Sequence, residues 1–111
     1  MKFEITKNGV ATVITLRERK LDAFVSGELK AEFLILCKPK VTEKLIIDMR
    51  KVDSCDSSGL SALLIAERAM REHGGVVRLV GVHKKVLSLL KISQLDRVFQ
   101  IYDSLNGALK A

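Results

Sequence analysis

The chain has 111 residues, which suits one domain spanning residues 1–111 and leaves no room for two. With 48% hydrophobic and 29% charged residues it is globular rather than disordered, and long enough to bury a core without metal or disulfide support. The formal net charge of +6 is spread over the whole chain with no interleaved aromatics, so a solvated basic surface is the first reading, an acidic partner the second, and nucleic acid a distant third.

The N-terminal "FEI" alternates with period two, and "ATVITL" follows after Asn8-Gly9. Asn-Gly supplies the two positive-φ positions of a type I′ turn, so a hairpin with strands at about residues 2–7 and 10–16 is expected. "RERK" reads as a polar connection. Val25, Leu29, Phe33, Leu36 and Cys37 then recur at helical spacing, with Ser26 available as a cap and Pro39 as the stop. "KLIIDM" is a continuous apolar run suited to a strand buried on both faces. "LSALLIAERAM" is helical, with Glu67, Arg68, Arg71 and Glu72 toward water and Gly74-Gly75 as a left-handed stop. "VVRLVGV" is a strand, "KKVLSLLKI" a helix with Val86, Leu87 and Leu90 inward, "VFQIY" a last strand and "SLNGALK" a last short helix. The alternation implies an α/β fold: a mixed, mostly parallel sheet of about five strands with about four helices.

The N-terminus does not resemble a signal peptide, and the longest apolar runs are too short to span a bilayer. The protein is therefore expected in the cytoplasm, away from membranes, with Cys37 and Cys55 as free thiols; their spacing carries no zinc or redox signature, and no metal site is expected.

The unusual stretch is "DSSGL", residues 56–60, at the start of the second long helix and the C-terminal edge of the sheet. Four readings compete. Asp56 or Ser57 caps the helix, at about 1 kcal/mol, although Gly59 in a first turn weakens a helix. Ser57 as a hydrolytic nucleophile needs a base; His73 lies roughly 24 Å along the same helix, nothing places His83 nearby, and no GxSxG elbow is present. A phosphate-binding loop lacks its glycine pattern and lysine, and Asp56 opposes it. Finally, Ser57 is itself a phosphorylation site, since free N–H groups and the helix dipole favour negative charge there.

The stretches "LDAFVSGELK", "LIIDM", "VDSCDSSGLSALL", "HGGVVRLVGV" and "KKVLSLLKISQLDRVFQIYDS", over residues 3 to 109, resemble a STAS domain of the bacterial anti-sigma-factor antagonist type. The resemblance implies that Ser57 is the phosphoacceptor and that Asp22, Asp56, Ser57, Ser58 and Gly59 form the partner-binding surface. It implies an anti-sigma factor serine kinase and a phosphoserine phosphatase as partners, with no enzyme activity, no cofactor and no direct nucleic-acid contact. The alternative it leaves is a regulatory or scaffold subunit of a transporter or larger signalling complex. The chain departs from the family pattern at "RERKLD", longer and more basic than usual and without the customary glycine, and at Cys55, where a bulky apolar residue is common.

Overall fold

The computed structural model describes residues 1–38 and 42–111. Pro39, expected to stop the first helix, lies outside the described residues. The strands are β1 (Phe3–Asn8), β2 (Ala11–Leu16), β3 (Lys20–Leu21), β4 (Lys44–Asp48), β5 (Ser54–Cys55), β6 (Val76–Val80) and β7 (Gln100–Tyr102). The helices are α1 (Ala23–Leu36), α2 (Ser57–Arg71), α3 (Lys84–Ile92) and α4 (Leu105–Lys110).

The main sheet has five strands in the order β1-β2-β4-β6-β7. β1 is antiparallel to β2 and the other neighbours are parallel; the hairpin turns through Gly9, at φ 63°, and Val10, with Asn8 paired to Ala11 as the last residue of β1 and not at positive φ, so the type I′ turn expected at Asn8-Gly9 is not formed. This is the expected mixed sheet. The "KLIID" run sits between β2 and β6 with Leu45, Ile46 and Ile47 wholly buried, as a two-face strand requires. Its pleat divides the core. Leu45, Ile47 and Met49 join Ile14, Leu16, Leu29, Phe33, Leu63 and Leu90 in the large cluster under α1, α2 and α3. Ile46 points the other way, with Val13, Val80 and the Ala108 side of α4.

Four further local expectations are corrected. The first helix begins at Ala23, not near Ser26; its cap is Asp22, and Ser26 is buried one turn inside, on the same face as Leu29 and Phe33. The residues 98–102 expected as one strand divide: Val98 and Phe99 follow a 3-10 turn at Leu95–Arg97, and Phe99 is buried beneath it. Leu87 is only half-buried, unlike Val86 and Leu90. "RERK" and "VDSC" are more than connections: the first runs into the two-residue strand β3, the second ends in β5, and β3 and β5 pair in parallel as a separate ladder.

Gly74 adopts φ 78° just past α2, the left-handed stop expected there. No helix among the described residues is long and apolar enough to cross a membrane.

Candidate functional site

The β3–β5 ladder builds the site. Its register sets Lys20 opposite Ser54 and Leu21 opposite Cys55, so Asp22 and Asp56 leave the ladder at matching positions. The backbone N–H groups of Asp53 and Ser54 donate to the Arg19 carbonyl at 2.8 and 3.2 Å, and that of Asp56 donates to the Leu21 carbonyl at 3.1 Å. Each aspartate then caps a helix. The Asp22 carboxylate accepts the Phe24 N–H at 3.0 Å at the head of α1. The Asp56 carboxylate accepts the Gly59 N–H at 3.1 Å at the head of α2. The chain thus lays two helix N-termini side by side and satisfies an otherwise orphaned donor in each.

Gly59 holds the two segments at this separation. A Cβ at this position would stand 2.4 Å from the Leu21 carbonyl oxygen, 2.6 Å from Cys55 Sγ and 2.8 Å from Leu21 Cβ. A glycine that costs the helix about 1 kcal/mol in propensity is therefore what allows α2 to start directly against β3. Ser57 is exposed as the first residue of α2, Ser58 is half-buried behind it, and Gly59 is buried. The sequence-derived residues Asp22, Asp56, Ser57, Ser58 and Gly59 are brought to one edge by the pairing of the segments that precede them.

The neighbouring groups fix what chemistry is possible. Each histidine ring is engaged elsewhere: His73 Nε2 is 3.1 Å from the Cys37 carbonyl oxygen and His83 Nε2 is 2.8 Å from that of Arg50. Neither imidazole is hydrogen-bonded to Ser57, so neither histidine is placed to activate its hydroxyl. Among the described residues no group of three or more His, Cys, Asp or Glu side chains is placed to hold a metal ion. Burial, reinforced by the adjacent Asp56 charge, pushes the Cys55 thiol up to about 12, and burial alone pushes Cys37 up to about 11. Both are protonated at neutral pH and serve as packing residues.

Sequence reading missed the clasp beneath the ladder. Arg19 donates to Asp53 Oδ2 from Nε at 3.1 Å and from Nη2 at 2.9 Å, and this hydrogen bond leads in holding the Asp53 carboxyl below its usual range. The opposite signs in "RERK" and "KVD" were visible, but nothing local indicates that strands 34 residues apart would align them. Phe24, next to the α1 cap, was also missed: it is 93% exposed.

The STAS domain family model matches residues 2–108. A Thermotoga neapolitana protein carried as a candidate anti-sigma factor antagonist is 31% identical over 67 residues, 60% of this chain and 59% of that relative, so the match spans well under two thirds of the relative's length. Among solved structures, an anti-sigma-factor antagonist (STAS) domain protein from Planctomyces limnophilus aligns with a TM-score of 0.88 at 22% identity, covering 97% of this chain and 94% of its own. The phosphorylated form of the Bacillus cell fate determinant SpoIIAA aligns with a TM-score of 0.77 at 17% identity, covering 98% and 97%. At these identities the two structures speak for the fold, and the family match runs through every element of the main sheet and both capped helices: the chain belongs to the STAS domain family.

Proposed function

We propose that this protein is an anti-sigma-factor antagonist: a binding module, not an enzyme, whose affinity for an anti-sigma factor serine kinase is switched by phosphorylation of Ser57. The observation that carries this reading is the exposed Ser57 hydroxyl at the first position of α2, directly after the Asp56 cap and alongside the Asp22 cap of α1. The existence of a phosphorylated form of SpoIIAA, a protein of the same fold, supports it. The unmodified protein engages the kinase through Asp22, Asp56, Ser57, Ser58 and Gly59 and so frees a sigma factor. Phosphorylation dismisses it, and a phosphoserine phosphatase resets the cycle.

The physical case for release is electrostatic. The helix N-terminus tolerates a phosphate, so the fold need not change. The partner closed over Ser57 meets a dianion where a neutral donor stood. One like-charge contact at 4 Å costs about 4 kcal/mol at an effective dielectric of 20. That corresponds to roughly a thousandfold in affinity.

Titration calorimetry against the purified kinase tests the switch. Ser57→Ala should bind like wild type and resist dismissal by ATP, while Ser57→Asp should bind much more weakly. Equal affinity for all three proteins, or tighter binding by Ser57→Asp, would overturn the reading in favour of a scaffold subunit, and phosphate appearing on the Ser57→Ala protein would refute Ser57 as the acceptor.

A further inference from the structure

Two concavities adjoin the site. One, of about 760 Å³, is lined by Lys2, Arg17, Glu18, Arg19, Lys20, Asp22, Phe24, Val25 and Asp53. The other, of about 460 Å³, runs from Arg19, Lys20 and Asp53 to His83, Lys84 and Lys85 at the head of α3. They share Arg19, Lys20 and Asp53 and so form one groove across the β3–β5 ladder.

Its charges are unevenly satisfied. Arg17 pairs with Glu4 and Arg19 with Asp53. Lys2, Lys20, Lys84 and Lys85 form no side-chain ion pair among the described residues. The groove's three carboxylates are each already engaged by an N–H donor: Glu18 by the Lys2 backbone, Asp53 by Arg19, and Asp22 by Phe24. The groove lining therefore carries a net positive charge, six lysines and arginines against the three carboxylates, with Lys85 near enough to act on Asp53. Phe24 stands almost wholly in solvent at its rim, beside the α1 cap.

We propose that this groove docks an acidic segment of a protein partner, with Phe24 as the apolar anchor at its rim. The proposal rests on the reading that the Asp22–Asp56 edge faces the partner, and adds the chemistry of the partner's docking segment. The occupant follows from the charge pattern. A peptide can set carboxylates against Lys20, Lys84 and Lys85 and neutral residues against Glu18 and Asp53. A nucleic acid or an anionic bilayer presents phosphates at uniform density and cannot skip the groove's own carboxylates. Phe24 alone offers no stacking series for bases. A second copy of this chain, at net +6, is repelled from a lysine-lined surface. Large exposed aromatics at the edge of a polar surface are the residues that anchor protein interfaces.

The test is fluorescence anisotropy with a labelled peptide of about a dozen residues, mostly Glu and Asp with interspersed Leu. Wild type should bind it, with affinity falling as salt shortens the Debye length from about 10 Å at 0.1 M toward 3 Å at 1 M. Lys20→Glu/Lys84→Glu should weaken binding at least about tenfold, as charge reversal in a complementary contact does. Phe24→Ala should weaken it several-fold. Lys91→Glu/Lys110→Glu reverses the same number of charges elsewhere and should leave binding within about twofold, as expected of an independent site. Circular dichroism melts establish that each variant is folded, and Phe24→Ala serves if the double reversal is not. Absence of binding, equal loss in the control, or tighter binding to phosphatidylserine-containing vesicles or single-stranded RNA would overturn the proposal. Ser57→Asp separates the two readings: peptide binding lost only in the lysine variant, with kinase binding unaffected by Ser57→Asp, would refute the switch and leave the groove standing. Kinase binding lost on Ser57→Asp, with no peptide binding by wild type, would refute the groove alone.

Discussion

Replacing Gly59 by alanine should destabilise this protein, although alanine is the better helix former. Helix propensity favours Gly→Ala by about 0.8–1.0 kcal/mol. Against that gain, the added methyl would meet the Leu21 carbonyl oxygen at 2.4 Å, Cys55 Sγ at 2.6 Å and Leu21 Cβ at 2.8 Å. The first of these is backbone, tied by the Asp56 N–H at 3.1 Å, and cannot swing aside as a flexible side chain can. Overpacking of this kind costs about 1–3 kcal/mol or more. Displacing α2 also loosens the bond from the Gly59 N–H to Asp56, a cap worth about 1 kcal/mol. The net loss is then about 2 kcal/mol, a fall of roughly 8 °C in Tm for a domain of about 100 residues. Gly27, exposed in the middle of α1, is the internal control: a Cβ there meets nothing within 4 Å. Gly27→Ala should raise stability by about 0.4–1 kcal/mol. Thermal melts by circular dichroism measure both. A Gly59→Ala protein as stable as wild type would refute the close approach of α2 to β3, and with it the placement of Asp22 beside Asp56.

Phe33→Ala should cost about 3–5 kcal/mol and Leu63→Ala about 2–5 kcal/mol in denaturant titration, since both side chains are wholly buried; a loss below 1 kcal/mol at either would mean the helix faces are reversed. Cys37 and Cys55 should react slowly with iodoacetamide in the native protein at pH 8 and quickly in guanidinium, because burial holds both thiols protonated; rapid native labelling of Cys55 would contradict its packing against the Gly59 turn. Burial acts to raise the Asp48 carboxyl, but hydrogen bonds and charge from Arg50 prevail and lower it. The stability this contributes is fully present above the unfolded value of about 3.9 and is lost as pH falls through the lower folded value, so Asp48→Asn should melt below wild type at pH 7 and the gap should close in acid. A gap unchanged from pH 7 to pH 2 would refute the Asp48–Arg50 linkage.

What was legible in the sequence is what long apolar patterns encode. β2, β4 and β6 announce themselves as runs of Val, Ile and Leu, and the β1–β2 hairpin and Gly74 stop are local chemistry, although the hairpin turns at Gly9-Val10 rather than at Asn8-Gly9. The cap of α1 was misplaced because periodicity finds where a buried face begins, and Val25 is the first inward residue; Ala23 and Phe24 precede it with outward faces. The β3–β5 ladder was illegible for another reason. Two residues carry no period, and the partners Leu21 and Cys55 are 34 positions apart. Motif matching collected the residues of the candidate edge without the geometry. That Gly59 is required by a carbonyl from another segment, and that Arg19 clasps Asp53, are tertiary facts with no signature in either stretch alone.

The brevity of the β3–β5 ladder has a kinetic consequence. The amides that flank it include those of Asp53 and Ser54, bonded to Arg19, and that of Asp56, bonded to Leu21. They lie apart from the five-stranded sheet, on residues that are themselves exposed or half-buried, whereas Ile46 and Ile47 are sealed between two strands. Local opening should therefore release the ladder at a fraction of the global unfolding free energy. In native-state hydrogen–deuterium exchange the amides of Asp53, Ser54 and Asp56 should lose protection well before those of Ile46 and Ile47, and with little dependence on denaturant. The edge that carries Ser57 would then be able to loosen, admit another molecule's active site and close again while the sheet beneath it stays intact. Exchange of all five amides at one common rate would show instead that the edge opens only when the whole domain unfolds.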